Sequence, residues 1–177
     1  MKYKYVFLLG RPACGKSAVF RALERRILGS GQAMTCQRID DFPKVRTRFQ
    51  GDDALERDGK ERIYSTRTDD GVYLPKEGVF DDILREVSAD VLRIEKPDHM
   101  IFLEFARPSY VEALQNFDRS ILDSCIVIYI KASFETCWAR NVARHEAVIA
   151  EGDMGIFAKG GDDHMVPRET MEKIYLY

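Results

Sequence analysis

The sequence lacks any long apolar run. Its longest, YVFLL and IVIYI, are about five residues each, far below the roughly 20 that a membrane-spanning helix needs. It also lacks an excess of either charge: 27 Lys and Arg stand against 29 Asp and Glu, a net charge of -2, which argues against duplex nucleic acid as a partner. Cysteine is sparse and scattered. Cys14, Cys36, Cys125 and Cys137 form no CxxC pair, so neither a zinc site nor a disulfide framework is expected, and reduced thiols fit a cytoplasmic protein. His99, His145 and His164 have no metal-ligand or triad spacing. The N-terminal MKYKYVFLLG carries no small-residue cleavage site and reads as a first strand rather than an export signal.

What is present is a chain of 177 residues, 45% hydrophobic and 32% charged, enough for one domain with a proper core. Runs of β-branched and aromatic residues predict strands over 3–9, 34–39, 100–105 and 125–131, three of them continuously apolar as strands covered on both faces should be. Between them, helical spacing of apolar residues predicts helices over 19–27, 79–91, 108–114 and 134–149. Strands alternating with helices imply a parallel sheet with right-handed crossovers, an α/β layered domain. The one long irregular stretch is 40–76, with a hairpin signal at Asp70-Gly71; an insertion of that size is more often functional than decorative. The last segment starts a helix near Pro167 and stops with apolar residues unspent, which suggests a final strand absent from the chain.

Residues 10–17 read GRPACGKS and match GxxxxGK[ST], placed after a predicted strand and at the start of a predicted helix. Gly10, Arg11, Pro12, Ala13, Cys14 and Gly15 would turn successive backbone N–H groups toward one centre, with Lys16, Ser17 and Ala18 opening the helix whose N-terminus adds partial positive charge. Lys16 would reach the β- and γ-phosphates of ATP, and the Ser17 hydroxyl would ligate Mg²⁺. The four constraints meet by chance in roughly one chain in a hundred of this length, fewer with the strand and helix context. Cys14, beside Lys16 at a helix N-terminus, is a candidate thiolate, against the plainer reading of a small loop filler.

On these residues the sequence resembles the P-loop NTPases, and among them the kinase group that includes nucleoside and nucleotide kinases, polynucleotide kinases and zeta-toxin-like kinases. The resemblance implies a three-layer P-loop sandwich with a parallel sheet, a single kinase-like domain over 1–177, an acceptor-side insertion at about 40–76 and a lid at about 140–164.

Further positions fit that resemblance. The second predicted strand ends in RIDDFP, where the kinase group often carries a carboxylate that accepts the proton of the attacking hydroxyl or helps hold the metal. Asp40 and Asp41 both qualify, since a carboxylate at a strand end beside a phosphate loop can orient a hydroxyl for in-line attack; Asp41 is preferred by a narrow margin, and a simple turn is the rival reading. Glu104 closes the apolar run MIFL and looks like a Walker B acid for Mg²⁺, with Arg107 three residues on resembling the arginine that grips the acceptor. An edge salt bridge between Glu104 and Arg107 competes with that reading. Arg140 and Arg144, four apart, share one helix face and resemble lid arginines that screen donor phosphates, against a solvated face paired with Glu135 and Glu146. Arg46 and Arg48 could grip an acceptor phosphate or belong to a charged loop.

No NKxD or LSGGQ occurs, which removes G-protein and ABC-type readings. The expectation is an ATP- and Mg²⁺-dependent cytoplasmic kinase, monomer or homodimer, acting on a small-molecule phosphoryl acceptor, with a nucleoside or nucleotide favoured. The alternative is a nucleotide-binding regulatory or assembly protein without turnover.

Overall fold

The computed structural model describes residues 3–31, 33–67, 73–150 and 166–175, with side chains to 147 in the third stretch. The expected hairpin turn at Asp70-Gly71 and the lid residues 151–164 lie outside the described residues.

The apolar run β1 (Tyr5–Leu9) is buried along its whole length and leads through the glycine-rich loop into α1 (Lys16–Leu28). β2 (Thr35–Asp40) follows, then α2 (Phe42–Arg57), a short hairpin of β3 (Ser65–Arg67) and β4 (Tyr73–Pro75), and α3 (Val79–Ile94). β5 (His99–Phe105) is succeeded by two short helices, α4 (Tyr110–Leu114) and α5 (Arg119–Asp123). The chain then runs through β6 (Cys125–Tyr129), α6 (Phe134–Ala150) and α7 (Arg168–Tyr175).

The main sheet has the order β2-β5-β1-β6 with every pairing parallel. Alternation along β1 sends Tyr5, Phe7 and Leu9 to one face, where α3, α4 and α5 cover them with Leu84, Val87, Val91, Ala113 and Ile121. Val6 and Leu8 go to the other, against Val19, Phe20, Leu23 and Ile27 of α1. The result is the three-layer α/β sandwich. Phe7 is fully buried, with Phe105 and Phe117 edge-on to it at 6.1 and 4.9 Å, and burial of such a ring contributes roughly 1.5–3 kcal/mol.

The register positions the site. Asp40 pairs with Glu104 and Leu9 with both Phe105 and Tyr129, so the C-terminal ends of all four strands lie at one edge, where α1 also begins. Ligands of open parallel sheets bind at that edge.

Two expectations are corrected here. Residues 42–57, read as irregular, form the 16-residue helix α2. Its buried positions Val45, Phe49 and Asp52 keep helical spacing, but the third is a carboxylate, so the apolar period is broken in the sequence. Asp52 is fully buried and accepts hydrogen bonds from the backbone N–H of Ile63 (2.8 Å) and from the N–H and hydroxyl of Ser65 (both 2.7 Å), tying α2 to the hairpin. β6, read as covered on both faces, is an edge strand among the described residues, with Ile126, Val127 and Tyr129 exposed.

Candidate active site

The phosphate-loop motif takes its shape from Gly10 and Gly15. At Gly10, φ is +146° and a Cβ would sit 2.6 Å from both the Ile130 carbonyl oxygen and Cys14 Sγ. Ile130 N–H donates to the Leu9 oxygen at 2.8 Å, so that carbonyl belongs to backbone locked in the sheet. Gly15, at φ +109°, precedes α1, whose N-terminus has no side-chain cap and no acid in its first turn. Such a helix start suits an anion. Lys16 is buried and folds back on the loop, its Nζ donating to the carbonyls of Gly10 (3.1 Å) and Arg11 (3.0 Å) and lying 3.9 Å from Glu104 Oε1.

Two loop side chains are engaged elsewhere in the fold. Arg11 points away from the cradle: its Nε donates to the Tyr175 carbonyl and its Nη1 to that of Ala132, each at 2.8 Å. Cys14 is buried with Cys137 and Met171, and burial pushes its thiol up despite the nearby Lys16. This favours the plainer reading of Cys14 as a packed loop filler over the thiolate. Pro12, Ala13, Ser17 and Ala18 line the cleft.

Three carboxylates meet the loop. Glu104, buried at the end of β5, has Lys16 on one side and Arg38 Nη1 at 3.5 Å on the other. Asp40 Oδ1 accepts the Phe42 N–H at 2.9 Å, and its carboxyl is pushed up to about 7, chiefly by burial and then by the neighbouring Asp41 charge. Asp41, at the start of α2, takes Arg107 as its partner at 2.5 Å. The salt bridge weighed for Arg107 thus runs to Asp41, 66 positions away in sequence. Arg107 also lies over the Phe80 ring at 3.9 Å.

From α6, Arg140 Nη1 donates to the Cys14 carbonyl at 3.1 Å, and Arg144 Nη2 to Asn141 Oδ1 at 3.2 Å; both arginines line the cleft. Arg46 and Arg48 do not. Arg48 pairs with Glu86 at 2.6 Å and lies over the Tyr64 ring.

The cleft holds about 370 Å³. Its lining includes the phosphate loop, Asp40, Asp41, Glu104 and Arg107, together with an aromatic wall of Phe42, Phe49, Tyr73, Phe80 and Phe105. Sequence analysis gave this aromatic wall no role; Phe49 and Phe105 are buried core, while Phe42, Tyr73 and Phe80 are partly buried. It also missed Tyr110, whose hydroxyl accepts the Gly10 N–H at 2.9 Å, and Tyr175, whose hydroxyl donates to the Ala106 carbonyl at 3.2 Å. Neither tyrosine sits in a local pattern that could have flagged it.

No family model matches the sequence, and no curated protein matches it. Solved structures do resemble it. The Mycobacterium tuberculosis APS kinase CysC, in complex with AMPPNP and APS, aligns with a TM-score of 0.54 at 15% identity over 94% of this chain and 84% of the kinase. The crystal structure of APE1195 aligns with a TM-score of 0.53, also at 15% identity, over 86% of this chain and 73% of that one. The chain shares the fold of these two proteins, a parallel sheet between layers of helices. Among the described residues, no helix is long and apolar enough to cross a membrane.

Proposed function

We propose that the protein is an ATP-dependent phosphotransferase whose acceptor is a nucleoside or nucleotide. The observation that carries the reading is the lining of one cleft: an uncapped helix start with Lys16 and Ser17, the carboxylates Asp40 and Asp41, and the aromatic side chains Phe42, Tyr73 and Phe80. Aromatic faces hold a planar base through dispersion and edge contacts.

The loop cradle fits a triphosphate, because the N-terminal turn of α1 is uncapped and a side chain at Gly10 would collide with Ile130. Mg²⁺ accompanies ATP and offsets phosphate charge. Among the described residues, no group of three His, Cys, Asp or Glu side chains could hold a metal ion. Ser17 and Glu104 would be its protein ligands, since Mg²⁺ takes most of its shell from phosphates and water. On binding, Lys16 would exchange the loop carbonyls for phosphate oxygens, while Arg140 and Arg144 face charge developing on the donor. Asp41 is committed to Arg107, so proton acceptance from the acceptor hydroxyl falls to Asp40, and the Asp41–Arg107 pair orients the acceptor.

Separate measurements of binding and turnover test this. Asp40→Asn should bind a non-hydrolysable ATP analogue within about threefold of wild type and lose about 10²–10⁴-fold in acceptor-dependent kcat. Unchanged kcat in Asp40→Asn would remove Asp40 from the reaction.

A further inference from the structure

Asn141 stands outside the expected site yet touches two of its walls. It lies within α6, between the cleft arginines Arg140 and Arg144, and its side chain is fully buried. A buried amide is costly unless its polar atoms are partnered. Here Nδ2 donates to the Val166 carbonyl at 2.6 Å, the Val166 N–H donates to Oδ1 at 3.1 Å, and Arg144 Nη2 donates to the same Oδ1 at 3.2 Å.

The two contacts with Val166 fix the amide. A backbone N–H can only donate and a carbonyl can only accept, so Oδ1 and Nδ2 have one assignment, and a flipped side chain would set like against like at both. Oδ1 then faces Arg144 as a stationary acceptor whose direction is dictated by the backbone at residue 166. The same contacts hold the chain two residues before α7. That helix supplies Thr170, Ile174 and Tyr175 to the cleft, and its Tyr175 carbonyl receives Arg11 of the phosphate loop.

We infer that Asn141 is a positioning residue: it aims the Arg144 guanidinium into the cleft and anchors α7 as the wall beside the phosphate loop. The inference rests on the reading of Arg144 as a group that meets donor phosphates. Glutamine would push the amide past Val166 by one methylene. Alanine would leave both Val166 groups and one Arg144 contact without this partner. Aspartate keeps the acceptor for Arg144 and for the Val166 N–H while losing the donor to the carbonyl.

A double-mutant cycle on the full chain tests it, using Asn141→Ala, Arg144→Ala and the pair, read by the Kd of a non-hydrolysable ATP analogue and by acceptor-dependent kcat. If Asn141 acts through Arg144, Asn141→Ala lowers kcat at least tenfold with less than a threefold rise in acceptor KM, and the pair is no worse than Arg144→Ala alone. Asn141→Asp should recover most of that kcat although its melting temperature stays below wild type, because the acceptor for Arg144 is retained. Losses that multiply in the pair, or an Asn141→Asp variant no better than alanine, would reduce Asn141 to a purely structural residue and overturn the inference. If Asn141→Ala does not fold, Asn141→Ser replaces it in the same cycle with the same criteria, and Asn141→Asp remains the variant expected to retain kcat. If wild type shows no acceptor-dependent turnover, the functional reading fails by itself, and coupling or additivity in the analogue Kd still decides the role of Asn141.

Discussion

Arg107 and Asp41 form a buried ion pair, 2.5 Å apart with side chains 6% and 8% exposed, in the lining of the cleft beside Phe80. Removing one member of such a pair strands the other charge and typically costs about 3–5 kcal/mol. Arg107→Met should therefore lower the melting temperature and raise the acceptor KM more than the ATP KM, since the arginine stacks on Phe80 of the aromatic wall. Thermal unfolding with steady-state kinetics against each substrate checks this; an equal effect on both KM values would place Arg107 outside the acceptor region.

Gly10→Ala should abolish ATP-analogue binding, because the new methyl would lie 2.6 Å from the Ile130 carbonyl oxygen. The double variant Gly10→Ala/Cys14→Ala separates the two collisions. It removes the thiol but leaves the sheet carbonyl, so binding measured by calorimetry should stay lost.

The loop has a second support in Tyr110. Tyr110→Phe deletes the hydroxyl that accepts the Gly10 N–H at 2.9 Å. An unpaired buried donor costs about 1–3 kcal/mol of stability, so the melting temperature should fall, and analogue Kd should rise as the loop loses a contact that holds its shape. An unchanged Kd with a normal circular dichroism spectrum would show that the contact is dispensable.

Much of this arrangement was legible in the sequence where the signal was local. The phosphate loop, α1, α3, α6 and the four sheet strands follow from short-range patterns, and the positions of Asp40, Asp41 and Glu104 at strand ends follow from them. What escaped depends on distance along the chain. Arg107 chooses Asp41 across 66 residues, Arg48 pairs with Glu86 across 38, and Arg11 reaches Tyr175. α2 escaped for another reason: its third core position is Asp52, a carboxylate satisfied by hairpin backbone that only folding brings near.

Asp52 has its own consequence. Burial would raise its carboxyl, but the Ser65 hydroxyl and the amides of residues 63–65 outweigh that and hold it below the ordinary range. Because the folded value is depressed, this stabilisation is complete above the unfolded value near 3.9 and is lost as pH falls through the lower folded one. Asp52→Asn should unfold at lower denaturant concentration than wild type at pH 7, and the gap should narrow below about pH 4.

Asp40 carries the opposite sign. Its folded value is raised to about 7, so the metal-free protein keeps a proton that the unfolded chain releases, and stability falls as pH rises from about 4 to about 7. In EDTA, Asp40→Asn should flatten that part of the stability profile and be more stable than wild type at pH 8. Parallel pH profiles for the two proteins would contradict the burial argument.

The most direct test of the central claim is Mg²⁺-dependent ADP release from ATP by the purified protein, offered nucleosides, nucleoside monophosphates, 5′-hydroxyl oligonucleotides and phosphosugars in turn, with Lys16→Ala as control. The account predicts stimulation by a nucleoside or nucleoside monophosphate that vanishes in Lys16→Ala. ATP binding with no stimulation by any acceptor would contradict it and favour a nucleotide-binding protein without turnover.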